Sequence, residues 1–94
     1  MSQPSEDPAE RARRYIATTE KALQQHNPLK EGIMVEVANI ARVSDAIHRY
    51  LQDARFYLTS GKPTTALASI AYAEGLLDAL KFLNLTRNVE TETQ

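Results

Sequence analysis

The middle of this 94-residue sequence carries apolar residues at alternating steps of four and three. This spacing places them along one side of a helix at about 3.5 residues per turn, as in a helix that packs lengthwise on another. Its positions are Ile33, Val37, Ile40, Ser44, Ile47, Leu51, Ala54 and Leu58, of which only Ser44 is polar. The repeat predicts a long helix, which we place at residues 28–60, although Gly32 also allows a start at residue 33.

The end of this helix and the start of the next are indicated by Ser60-Gly61 and Pro63. Glycine favours the left-handed conformation that ends a helix, and proline suits a first helical turn. A third helix is therefore predicted at 63–84. The short connection makes the two helices antiparallel, with Ala54 near Ile70, Leu51 near Ala73 and Ile47 near Leu77. We expect Ile47, Leu51, Ile70 and Leu77 to form the centre of the core.

The first helix is predicted at residues 7–26. Asp7 can cap its N-terminus with Pro8 in the first turn, and Asn27-Pro28 ends it. The chain is thus predicted to be all-α, a three-helix antiparallel bundle with a long helical hairpin made by helices 2 and 3. We expect one domain over residues 1–94, with flexible tails at 1–6 and 86–94.

Composition excludes several classes of function. A formal net charge of -1 gives no strong field for nucleic acid or an anionic membrane, and the absence of cysteine removes disulfides and thiolate chemistry. The polar start has no apolar segment of a signal peptide, and no apolar stretch is long enough to span a membrane. We expect a cytoplasmic protein without a cofactor and with no membrane partner, and nucleic-acid binding is a disfavoured interpretation.

The segment from Tyr50 to Leu85 carries a distinctive pattern. Its residues are Tyr50, Asp53, Ala54, Tyr57, Gly61, Ala66-Leu67 and the run from Tyr72 to Ala79, which reads YAEGLLDA. The pattern resembles an archaeal family known as domain of unknown function 357. The resemblance implies a compact helical fold in an archaeal cytosol, and it assigns the chain no particular activity. Lys62 departs from it, because the family usually has at this position an Asp that could cap helix 3.

Arg42 and His48 form the one spacing that suggests catalysis. It resembles the R-x4-6-H pattern of HEPN-type helical ribonucleases, in which His acts as acid or base and Arg stabilises a phosphate. On one helix, however, residues six apart differ by about 120° in direction. A HEPN-like, metal-independent ribonuclease is therefore the alternative function, and two ordinary solvated side chains are the favoured interpretation.

Glu74 and Asp78 lie one turn apart on helix 3, and a metal site or proton transfer there is conceivable. Two carboxylates are too few for a metal site, so none is predicted. The hairpin register places His48 and Arg55 opposite Glu74, and we expect these three residues to form a structural polar cluster. No catalytic residue is assigned.

Helix 3 has more apolar surface than helix 2 can cover. A second apolar row lies around its axis from the row that faces helix 2, and it consists of Tyr72, Leu76, Ala79 and Leu83. Gly75 within this helix suggests a close approach of a neighbouring helix. We therefore predict a protein-protein interaction or scaffolding module, whose partner is a second copy or another helical protein that binds this row.

Overall fold

The computed structural model describes residues 7–89, which form three helices and no strand. They are α1 (Pro8–Gln25), α2 (Val37–Thr59) and α3 (Pro63–Phe82). The all-α prediction is confirmed for this part of the chain. Contacts divide the chain into two compact units, the first ending at Gly32 and the second beginning at Ile33. The three-helix bundle stays a prediction.

The first unit contains α1, whose start follows from its capping residues. The Asp7 carboxylate accepts a hydrogen bond from the Ala9 N–H at 3.1 Å, and Pro8 occupies the first turn, where no N–H is needed. The helix ends at Gln25, just before Asn27-Pro28. The predicted tail 1–6 lies outside the described residues, as does 90–94 of the predicted tail 86–94.

The second unit begins with non-helical residues, and α2 starts only at Val37. The predicted start at residue 28 was wrong, since residues 28–36 are not helical. Gly32 disfavours a continuous helix there, and the β-branched Ile33 and Val35 add little helix propensity. The Glu36 side chain makes no capping hydrogen bond to the first turn of α2.

The turn between α2 and α3 is built as the sequence predicts. Gly61 has a φ of 78°, the left-handed conformation that glycine adopts without strain. The Lys62 N–H donates to the Tyr57 carbonyl at 2.8 Å and the Gly61 N–H to the Leu58 carbonyl at 3.3 Å. This is a Schellman motif, which satisfies carbonyls at the end of α2. Lys62 precedes α3 without a side-chain cap, as its departure from the family pattern implies.

A second Schellman motif ends α3 at Phe82, two residues before the predicted end. Asn84 supplies its left-handed residue with a φ of 58°, a conformation that asparagine tolerates. The Leu85 N–H donates to the Leu80 carbonyl at 2.8 Å, and Leu85 itself is half-buried. The chain therefore turns back at this point onto the end of the hairpin.

Small side chains predominate among the buried residues between α2 and α3. Ala66, Ala73 and Leu80 are buried at seven-residue spacing on α3, with Ala73 only 3% exposed, and Ala54 is buried on α2. Leu58 and Pro63 line one groove near the turn, whereas Val43 and Leu76 line another farther along. Later residues of α3 thus lie beside earlier residues of α2, and the two helices run in opposite directions.

The predicted centre of the core needs correction. Leu77 is exposed, so its assignment to the core was wrong, and Ile47, Leu51 and Ile70 are half-buried. The row that faces α2 includes Leu80 rather than Leu77. A seven-residue repeat keeps one row on the seam of a helix pair, which explains why Leu80 follows Ala66 and Ala73.

Leu80 should therefore carry more stability than any exposed residue of α3. Because its side chain is 5% exposed, Leu80→Ala is expected to lower the free energy of unfolding by about 2 to 5 kcal/mol. The control is Phe82→Ala, where an 83% exposed side chain should give a change within about 0.5 kcal/mol. Urea unfolding followed by circular dichroism measures both. Equal losses would show that the seam is misplaced.

Candidate functional site

One side of the hairpin carries an open groove between α2 and α3, which we call the Tyr72 groove. Its lining includes Asn39, Arg42, Ala46 and Arg49 from α2, and Tyr72 and Leu76 from α3. The Tyr72 ring meets the Tyr50 ring edge to face, with centroids 4.4 Å apart. The floor is apolar and the α2 rim carries both guanidinium groups and the Asp45 carboxylate, a combination suited to a partner with apolar groups and charges of both signs.

The four predicted partner-binding residues lie along this side of α3. Their steps of four, three and four place Tyr72, Leu76, Ala79 and Leu83 on one face of the helix. Tyr72 is 51% exposed, Leu83 is 66% exposed, Ala79 is exposed and Leu76 is half-buried in the groove. Tyr72 and Leu76 thus also contact or border α2, which was not expected of this row. Its binding of a partner stays a prediction.

The α2 residues of the Tyr72 groove were missed by the sequence analysis, apart from Arg42. Asn39, Ala46 and Arg49 follow the same helical spacing as Arg42, at steps of three and four. That periodicity was available in the sequence. These positions are mostly polar and lie beside the stronger apolar seam, so in the sequence they resemble an ordinary solvated face of a helix. Only the structure shows that they line a groove.

The opposite side of the hairpin holds a second groove, which we call the Leu67 groove. Its lining includes Leu51, Arg55, Leu58, Ala66, Leu67 and Ile70. Of the predicted polar cluster, Arg55 lines this groove, whereas His48 and Glu74 do not. All three are exposed, and within residues 7–89 no hydrogen bond or ion pair joins them. Their pairing stays a prediction.

Arg42 and His48 are not brought together in either groove. Arg42 lines the Tyr72 groove, whereas His48 projects about 120° away around α2 and lines neither. A ribonuclease site requires the two side chains to converge on one phosphate. In the described part of the chain, no group of three or more His, Asp or Glu side chains is placed to hold a metal ion.

Two arginines of α1, Arg11 and Arg14, contact the ring of Tyr15 on the same helix. The Arg14 guanidinium lies 4.8 Å from the Tyr15 ring centroid and that of Arg11 lies 5.7 Å away, so both stack on the ring as cation–π contacts. Arg11 also donates a hydrogen bond of 3.5 Å to the Tyr15 hydroxyl. The hydrogen bond and charge of Arg11, followed by those of Arg14, lower the pKa of Tyr15.

Removal of the Arg11 side chain should change the titration of the Tyr15 hydroxyl. Arg11→Ala is expected to raise the pKa of Tyr15 towards the ordinary tyrosine value, because the cation and donor that favour the tyrosinate are lost. Ultraviolet absorbance of tyrosinate against pH measures this, with each protein compared with its own Tyr15→Phe counterpart to isolate one of the four tyrosines. Arg13→Ala is the control. An unchanged Tyr15 curve in Arg11→Ala would contradict the contact.

These features define a small all-α protein built on a helical hairpin with an open groove on each side. The family model described as "Protein of unknown function (DUF357)" matches residues 14–86, and the chain belongs to this family. The match confirms the resemblance drawn from Tyr50 to Leu85 and extends it into α1. No curated protein and no solved structure matches the chain. Among the described helices, none is both long enough and apolar enough to cross a lipid bilayer.

Proposed function

We propose that this protein is a protein-protein interaction module that self-associates through the Tyr72 side of its hairpin. One observation carries the proposal: the row Tyr72, Leu76, Ala79 and Leu83 remains largely exposed beside the buried row of Ala66, Ala73 and Leu80. A contiguous apolar row of this kind is typical of an interaction surface. A twofold pairing of identical rows is the commonest way to cover one.

The small size of the buried residues supports the same conclusion. Three of the four buried hydrophobic residues in the described chain are alanines, and each removes little apolar area from water. Larger side chains such as Phe56, Tyr72 and Leu83 stay exposed. A two-helix hairpin covers only one stripe of each helix, so further burial has to come from another helix.

Gly75 adds a further argument. A Cβ at this position would meet nothing within 4 Å, so the close approach expected at Gly75 does not come from a neighbour in its own hairpin. Glycine within a helix costs about 1 kcal/mol relative to alanine. Gly75 precedes Leu76 and lies one turn from Ala79, where a second copy at the proposed interface would come closest.

The three-helix antiparallel bundle belongs to the same proposal. The α1 stripe of Tyr15, Ile16 and Leu23 is exposed and repeats with helical spacing. Such a stripe requires an apolar surface to cover it. We propose that the hairpin provides this surface while the Tyr72 side remains available for self-association.

Charged residues in the α3 row should abolish self-association without unfolding the hairpin. The variant Ala79→Glu with Leu83→Glu changes two exposed positions and would place four carboxylates in a twofold interface, where like charges repel. We expect the mass measured by light scattering to fall to that of one chain, with helical circular dichroism retained.

The matched control is Leu58→Glu with Leu67→Glu, two similarly exposed positions on the Leu67 side. Its mass should equal that of the unmodified protein. Loss of association in the control but not in the Ala79/Leu83 variant would move the interface to the Leu67 side and contradict the proposal.

A further inference from the structure

We infer that the second copy binds with its α2 antiparallel to α2 of the first, in a register set by four alternating charges. This inference rests on the proposed self-association and adds its orientation and its specificity. The four residues are Arg42, Asp45, Arg49 and Asp53, at steps of three, four and four on α2. All are exposed, and the first three line the Tyr72 groove.

The order of these charges is self-complementary. Along α2 the signs run positive, negative, positive, negative, and the same series read backwards runs negative, positive, negative, positive. An antiparallel copy therefore places Arg42 against Asp53 of the other chain and Asp45 against Arg49 of the other chain. Twofold symmetry repeats each contact, so four opposite-charge pairs form and no like charges face each other. A parallel copy in register would oppose like charges at every position.

The apolar row on α3 has the same centre as the charges. The midpoint of the four charges falls next to Ile47 on α2, and the midpoint of Tyr72, Leu76, Ala79 and Leu83 falls next to Leu77 on α3. In the hairpin these positions lie side by side, given that Tyr50 meets Tyr72 and that Ala54 and Ile70 line the same groove. One twofold axis across the Tyr72 side therefore pairs α2 with α2 and α3 with α3.

An alternation of charge also stabilises single helices through pairs three and four residues apart. In the described chain, however, none of the four residues forms an ion pair, and the Arg49 guanidinium lies over the Tyr50 ring, 6.0 Å from its centroid. Arg42 and Asp53 are eleven residues apart, about 16 Å along the axis, so they cannot pair within one α2. Substitutions at Arg42 and Asp53 therefore distinguish charge pairing between two copies from charge pairing within one helix.

The experiment compares Arg42→Glu, Asp53→Arg and the double variant by sedimentation equilibrium at low salt. Each single change opposes like charges across the interface twice, and we expect it to raise the dimer Kd about tenfold. The double variant restores both contacts and should return to within about threefold of the unmodified protein. If the charges act only within one helix, the double variant should instead be the weakest of the three. Arg42→Glu then places a carboxylate beside Asp45, and Asp53→Arg places a guanidinium beside Arg49.

Recovery in the double variant supports the register, and high salt should then reduce the differences between the proteins. A double variant weaker than both single variants would assign the charges to the stability of α2 itself and overturn the inference. Single variants that dimerise as tightly as the unmodified protein would also overturn it, while leaving the proposed self-association intact. An unmodified protein that is monomeric would contradict both. Circular dichroism verifies that every variant is helical.

Discussion

The structure depends on a contact between α2 and α3 in which the buried residues of α3 repeat every seven residues and are mostly alanines. Ala66, Ala73 and Leu80 on α3 lie along the seam with Ala54 of α2, and the alanines allow the two helix backbones to approach. The Gly61 turn brings the helices into this antiparallel arrangement. Close packing of small residues aligns the hairpin well, but it removes little apolar surface from water.

Limited burial at the seam explains the surfaces on both sides of the hairpin. Larger apolar residues flank the seam and line the two grooves, so the Tyr72 side and the Leu67 side each offer apolar area to another helix. The two sides differ in charge: the Tyr72 side has alternating Arg and Asp along α2, whereas the lining of the Leu67 groove includes a single charged residue, Arg55. Alternating charges favour one orientation of a partner, which an apolar groove alone does not.

The hairpin could be predicted from the sequence because residues in its turn restrict the backbone locally. The parts that were not predicted depend mainly on how the helices pack on each other. Gly61 and Pro63 fixed the turn and hence the register, because both residues restrict the backbone directly. The start of α2 was placed nine residues early, at residue 28, because Pro28 suits a first helical turn and the apolar spacing continues back to Ile33, although the helix does not. Leu77 and Leu80 lie about 60° apart around α3, and only the rotation of the packed helix decides which faces α2. The α3 residues of the Tyr72 groove belong to the predicted apolar row, whereas most of its α2 residues were missed because the majority of them are polar.

The mass of the unmodified protein in solution tests the central claim most directly. One chain has a mass of 10.5 kDa, and sedimentation equilibrium over a hundredfold range of concentration distinguishes one chain from two. If a second copy covers the Tyr72 side, the mass should approach twice that of one chain as concentration rises and fall towards that of one chain on dilution. A mass of 10.5 kDa throughout, up to the highest concentration, would contradict the account.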